Sequence, residues 1–360
     1  MRRFALACAI WGATAFAAHA AGTLHLYNWA EYLGTNTLAD FKAATGAETT
    51  LDFYDSNEVL ETKLLTGGSG YDVVFPAMSN AEREGRAGAL LPIDPAKLKN
   101  YGNLDPAILK ALDGVPGGRA LGVPYTWGTI GLAYNKAEVK KALGTDTLDS
   151  LSAIFDPNVA AKLKDCGIAV IDSPLEMTAV ALNYLGIDPY SDKPEDLAKA
   201  EALLAGMAKN VRYFHNQKAT SDLAEGGVCV GFIYSGDAMA ARARAAEAKN
   251  GVEIGYVIPK EGTMMWIDLM AIPRDAPSPD LAYQFLDFML EPKSMADVTD
   301  TVGFANANLK SIPLISPDLA NDKGLYPDDA TRAHLFLDRS IEGKGLKLRT
   351  RLWTTVKTGQ

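Results

Sequence analysis

The sequence predicts an α/β protein of two lobes, each built on a central, mainly parallel sheet flanked by helices. Two observations carry this expectation. Apolar runs of strand length alternate with helically spaced segments, the order that yields parallel sheets covered by helices on both faces. The chain has 360 residues, 48% of them apolar, more than one hydrophobic core organises, so two lobes are the expected division.

The elements follow in order. Leu24 to Asn28 reads as a strand, and Asn36 to Thr45 as a helix stopped by Gly46. Leu51 to Tyr54 is the next strand. Asn57 to Leu65 has helical spacing and ends at Gly67-Gly68, after which Tyr71 to Pro76 reads as a buried strand. Gly67-Gly68-Ser69-Gly70 precedes that strand, the wrong side for a phosphate cradle, and reads as a turn. Ile168 to Ile171 is a strand followed by a helix opening at Ser173-Pro174 and running through Leu182. Val228 to Ile233 is a strand leading to a helix over Ala238 to Ala248. Trp266 to Ile272 is a strand, and Ser278-Pro279 opens a helix with Leu281, Phe285, Phe288 and Met289 on its buried face.

The first twenty residues form a separate segment. Arg2 and Arg3 precede an apolar run from Phe4 to Ala18, and Ala18-His19-Ala20 supplies a small-x-small cleavage pattern. This predicts a secretory signal peptide cut after Ala20, the apolar run being short for a membrane span. Of the 35 basic and 44 acidic residues, two arginines and no acid leave with it, which takes the net charge from -9 to -11. An acidic total without a basic run argues against nucleic acid and anionic membrane as partners and suggests a cationic ligand. Two cysteines then remain, Cys166 and Cys229, an even pair bound for an oxidising compartment; a disulfide or two buried thiols both fit.

Ligand crevices of open parallel sheets lie beyond the carboxyl ends of the strands. The residues found there are Trp29, Ala30, Glu31 and Tyr32 after the first strand, and Ala77, Met78 and Ser79 after the strand ending at Pro76. Asp172 to Glu176 follow the Ile168 strand, Tyr234 to Asp237 follow the Val228 strand, and Asp268 sits within the Trp266 strand on the face of Trp266 and Met270. Aromatics and carboxylates recur, and no Lys or Arg does. Other roles fit some of these residues: Ser173-x-x-Glu176 also matches a capping box, Asp237 also suits a helix start, and Trp29 and Trp266 also suit a core. A buried Asp268 requires a cation or hydrogen bonds, from ligand or protein.

Catalytic patterns are poor by comparison. After signal removal the histidines are His25, His215 and His334, none in HExxH or beside Cys at zinc spacing, and no GxSxG, Walker A or CxxC pattern occurs. No cofactor or metal is expected, and on the residues alone an enzyme using paired carboxylates stays open.

The motifs Tyr27-Asn28-Trp29-x-Glu31-Tyr32, Asp55-Ser56-Asn57-Glu58, Asn183-Tyr184-Leu185-Gly186 and Ala305-Asn306-Ala307-Asn308 resemble those of the periplasmic polyamine-binding proteins of ABC importers, closest to the putrescine-binding type. The resemblance runs on to Arg349-Thr350-Arg351-x-Trp353. It implies a type II periplasmic binding fold, with two chain crossings between lobes and the ligand in the cleft. The lobes implied are 21–130 with about 255–315, and 131–254 with about 316–360. Carried over by position, the pocket would comprise Trp29, Glu31, Tyr32, Ser79, Glu176, Tyr234, Asp237, Trp266, Asp268 and Phe304, the last of which strand-end reasoning does not supply. Cys166 and Cys229 match cysteines that are disulfide-bonded in the putrescine-type relatives. Glu31 and Trp266 look like the spermidine-binding relatives, whereas Asp237 is a carboxylate that type lacks, and Ser173 stands where it has an aspartate.

The resemblance therefore implies a monomeric periplasmic receptor that captures a polyamine and hands it to an inner-membrane ABC permease. Putrescine or a similar diamine such as cadaverine is the first choice, with a spermidine-preferring or dual binder as the alternative. Asp268 and Asp237 would hold one ammonium and Glu31 or Glu176 the other. The rival from another class is a secreted carboxylate-dependent hydrolase of polyamine derivatives, using the same acids as general acid and base.

Overall fold

The computed structural model describes residues 22–359. The expected signal peptide and its cut after Ala20 lie outside the described residues. Strand Thr23–Trp29 stands at the centre of a three-stranded sheet, flanked in parallel by Glu48–Tyr54 and Val73–Val74. The helices between these strands begin and end where local chemistry dictates. Ser56 accepts from the Val59 N–H to start helix Asn57–Thr66, and Gly46 takes the left-handed conformation (φ 75°) that closes helix Thr37–Thr45.

A second sheet has eight strands, six of them in the order Phe336–Leu337, Met264–Met270, Val123–Asn135, Val230–Tyr234, Ile168–Val170, Val211–Phe214. Val211–Phe214, Ile168–Val170 and Val230–Tyr234 pair in parallel, as do Phe336–Leu337 and Met264–Met270. Strand Val123–Asn135, buried along all 13 residues, joins the two lobes. Its first half pairs antiparallel with Met264–Met270 and Ala305–Asn306, and its second half with Val230–Tyr234 and Ile254–Val257. Sequence periodicity does not single out this strand, because Pro124, Gly128 and Gly131 interrupt its apolar run. It is nevertheless the structural spine, with Tyr125, Trp127, Ile130 and Leu132 all in the core.

Tyr71 to Pro76, expected as one strand, pairs only at Val73–Val74. Helix Ser235–Ala248 starts three residues earlier than expected, and the strand expected over Trp266 to Ile272 is Met264–Met270, followed by the short strand Ile272–Pro273. The Gly67-Gly68-Ser69-Gly70 turn has three left-handed glycines and is anchored by Asp275, which accepts from the Ser69 N–H at 2.8 Å. Cys166 and Cys229 are disulfide-bonded, closing a loop of 63 residues. No described helix is long and apolar enough to cross a membrane.

Candidate ligand-binding cleft

Between the lobes lies a cavity of about 650 Å³, lined from both sides, within the range of small-molecule sites. Nine of the ten residues expected there line it: Trp29, Tyr32, Ser79, Glu176, Tyr234, Asp237, Trp266, Asp268 and Phe304. The tenth, Glu31, does not. After strand Thr23–Trp29 the chain turns sharply, fixed by the buried Asn28, whose side-chain oxygen accepts from the Trp29 N–H at 2.8 Å, and by Tyr125, whose hydroxyl donates to the Tyr32 carbonyl at 2.6 Å. That turn puts Glu31 in the left-handed region (φ 56°), exposed and off the cavity wall.

Of the carboxylates lining the cavity, Asp268 is the most buried. It is 9% exposed and sits where the pairing of its strand with Val123–Asn135 slips by one residue, a bulge of the kind that re-aims a side chain. The Tyr32 hydroxyl donates to it at 2.7 Å and lies 2.5 Å from the Thr126 hydroxyl. Burial raises the Asp268 carboxyl to about 7, against the pull of the Tyr32 hydrogen bond. Among the described residues no base pairs with it, so neither ion pairing nor a full set of donors stabilises its charge.

Across the cavity, the Tyr234 hydroxyl donates to Glu176 at 2.7 Å. Ser173 makes no capping hydrogen bond to the helix Pro174–Tyr184, and its nearby hydroxyl eases the Glu176 charge. The capping-box reading of Glu176 is thereby displaced. Burial raises the Glu176 carboxyl, and raises Asp237 to about 6 despite Arg244 and the Thr220 hydrogen bond.

The aromatic walls are held by contacts as specific as those of the acids. Trp29 donates its indole N–H to the Phe75 carbonyl at 3.0 Å and packs on Tyr54. Phe304 stands edge-on to Trp266 at 5.0 Å and to Tyr32 at 6.0 Å. Two glycines make room: a Cβ at Gly236 would run into the Phe304 ring, and one at Gly128 into Trp266.

One expectation needs correction, since bases do reach the cavity: Arg83 and Arg339 line it. Arg83 is engaged elsewhere, its guanidinium forked on Glu61 with Nη2 at 2.7 Å from Oε2. Two carboxylates outside the expected ten also line the cavity, the exposed Glu58 and the half-buried Asp338. Asp338 is raised to about 7 by burial, against the pull of the Ser79 hydroxyl. Strand-end reasoning would have found it, because it directly follows strand Phe336–Leu337, but two residues leave no readable period. Among the described residues no group of three or more His, Cys, Asp or Glu is placed to hold a metal ion.

Two lobes enclosing a cavity of carboxylates and aromatic rings define a protein that binds a small solute. Residues 36–327 match the family model of bacterial extracellular solute-binding proteins. The putrescine-binding periplasmic protein SpuD of Pseudomonas aeruginosa is 42% identical with both chains covered completely, and the putrescine-binding periplasmic protein PotF of Escherichia coli is 43% identical, covering 94% of this chain and 92% of its own. The solved structure of the spermidine/putrescine ABC transporter substrate-binding protein PotD of Streptococcus pneumoniae superposes with a TM-score of 0.81 at 27% identity, over 94% of this chain and 99% of that one. The chain belongs to the bacterial extracellular solute-binding protein family. It is a binding protein and not an enzyme, and the hydrolase alternative finds no support among these relatives.

Proposed function

We propose that this protein is the periplasmic receptor of an ABC importer for polyamines, closing its lobes on the ligand and presenting it to the permease. The observation that carries this reading is the set of four buried or half-buried carboxylates, Glu176, Asp237, Asp268 and Asp338, gathered among aromatic faces with the exposed Glu58 also on the wall, while Arg83 is occupied by Glu61 and the Arg339 guanidinium lies over the Tyr190 ring. An ammonium leaves water only for carboxylates and aromatic faces, and the methylene chain between two ammoniums suits the walls of Trp29, Tyr234 and Trp266. Asp268 with Asp237 takes one ammonium and Glu176 the other. The relatives named for putrescine support a diamine as the first ligand. The fourth carboxylate favours a second reading, in which spermidine is bound as well.

The finer expectations are carried as part of this proposal: a monomer, cleavage after Ala20, and lobe limits of 21–130 with about 255–315 and 131–254 with about 316–360. The change of partners along Val123–Asn135, between Thr129 and Ile130, supports the first limit. Titration calorimetry with putrescine, cadaverine, agmatine, spermidine and spermine tests the function, and absence of heat with all five refutes it.

Phe304 and Gly236 approach each other from opposite lobes, so their contact depends on closure. Gly236→Ala is expected to displace the Phe304 ring and weaken putrescine binding by about 2- to 30-fold, the worth of one cation-π contact. Helical φ at Gly236 leaves the thermal midpoint of the free protein unchanged. Full affinity in the variant would show that Phe304 is not a wall of the bound cleft.

A further inference from the structure

We infer that Asp172 is a positioning residue of the cleft: gripped by Trp353 and Lys357 of the C-terminal helix, it sets the turn that carries Ser173 and Glu176 to the ligand. The inference rests on the polyamine reading above, in which Glu176 takes an ammonium. It gives a role to a strand-end acid and a C-terminal motif that the cleft wall itself leaves unused.

Three observations support it. First, Asp172 follows strand Ile168–Val170 at the place where ligand acids gather, yet the cavity wall begins one residue later, with Ser173. The Asp172 carboxylate is taken up behind that wall. The Trp353 indole N–H donates to its Oδ1 at 2.8 Å, and the Lys357 ammonium lies 2.8 Å from both oxygens. Burial pushes the carboxyl up, but hydrogen bonds from Lys357 and Trp353, the Lys357 charge and the nearby His215 outweigh it and hold the group below its ordinary value. Asp172 is thus an ionised acid already neutralised by the protein, unlike Asp268.

Second, the backbone around it is pinned as firmly. The Asp172 N–H donates to the Asn216 side-chain oxygen at 2.7 Å, and just after the neighbouring strand the His215 N–H donates to the Val170 carbonyl at 2.9 Å. His215 Nδ1 accepts from the N–H groups of Gln217 and Lys218 at 3.1 Å each. Two loops that reach the cavity, at Ser173 and at Gln217, are therefore tied together one residue behind the wall.

Third, the grip comes from one side of a single helix. Arg349, Trp353 and Lys357 recur at four-residue spacing in helix Gly343–Thr358, which sets them along one side. The buried Arg349 donates to the Pro189 and Ser191 carbonyls at 3.0 and 3.1 Å, and the buried Trp353 stands edge-on to Phe214 at 5.0 Å. These contacts fix the rotation of the helix, so indole and ammonium meet Asp172 in one setting. Glu176, four residues on, then needs little reordering to meet a cation.

The test is a double-mutant cycle read by titration calorimetry with putrescine. Asp172→Ala is expected to weaken binding about 2- to 10-fold, the worth of one hydrogen bond, and to lose far less in a Glu176→Gln background, because it acts through Glu176. A merely structural residue would show the same loss in both backgrounds. Lys357→Met, at the exposed end of the helix, repeats the comparison in the same two backgrounds should Asp172→Ala fail to fold, and the same pattern is expected. Equal losses in the two backgrounds, or undiminished binding in both variants, overturn the inference while the polyamine reading stands. Tighter binding in Lys357→Met also overturns it, since Asp172 would then be acting on the ligand itself. Unmutated protein that binds no polyamine overturns that reading, and this inference with it.

Discussion

Asp268→Asn is expected to abolish polyamine binding and leave the fold intact. Truncating one member of a buried charge pair costs about 2 to 5 kcal/mol, or roughly 30-fold to several thousand-fold in affinity. Asp268 stands at the upper end of that range because, among the described residues, its one side-chain donor is the Tyr32 hydroxyl and no base replaces the lost charge. Asn keeps the shape and can still accept from Tyr32, so packing is preserved. The stability of the free protein supplies the control. Burial holds the Asp268 carboxyl at about 7 in the folded state, above its ordinary value, so the folded protein binds more protons than the unfolded chain between roughly pH 4 and 7. Stability contributed by the proton is therefore lost as pH rises through that window. The ligand-free Asn variant should melt no lower than the unmutated protein at pH 8, with the gap closing towards pH 4. Undiminished binding by calorimetry would mean that Asp268 answers to the protein and not to a ligand.

Removing the disulfide is the second large effect, and it acts on stability. Closing a 63-residue loop restricts the unfolded chain by about 4 kcal/mol in the chain-entropy treatment, a large share of the roughly 5 to 15 kcal/mol that a domain commands. Cys229 is 1% exposed and directly precedes strand Val230–Tyr234, which delivers Tyr234 and then Asp237 to the cleft. Its partner, Cys166, sits just ahead of strand Ile168–Val170, which leads to Glu176. The bond therefore ties together the two strands that carry the second lobe's acids. Cys166→Ala/Cys229→Ala is expected to lower the denaturant midpoint of the second lobe by an amount equivalent to about 4 kcal/mol, with a smaller loss of ligand affinity. An unchanged midpoint would show that native packing alone sets the stability of that lobe.

Much of the cleft was legible because strand ends are legible. Trp29, Tyr32, Ser79, Glu176, Tyr234 and Asp237 each follow a run long enough to show its period, and the rule that ligands gather beyond strand ends did the rest. Asp268 announced itself as a carboxylate inside an apolar strand. Phe304 and Asp338 escaped that reasoning for one cause: each adjoins a strand of two residues, Ala305–Asn306 and Phe336–Leu337, which exists only because a longer partner strand templates it. Glu31 failed in the opposite sense. Its place after a strand was read correctly, but the turn that buries Tyr32 demands a left-handed residue beside it, and that conformation turns Glu31 outwards.

By itself the sequence determined the α/β class, the strand and helix order, the family, and the supply of acids and aromatics at the ends of strands. These depend on short-range patterning, which any ten-residue window displays. Only the tertiary structure decided which acids face the cavity and what neutralises them. Tyr32 meets Asp268 across 236 residues and Tyr234 meets Glu176 across 58. Arg83, a base in the cleft, is withdrawn from it by Glu61. Burial and Coulomb interaction depend on distances through space, so the charge state of the cleft appears only when the two lobes are assembled around it.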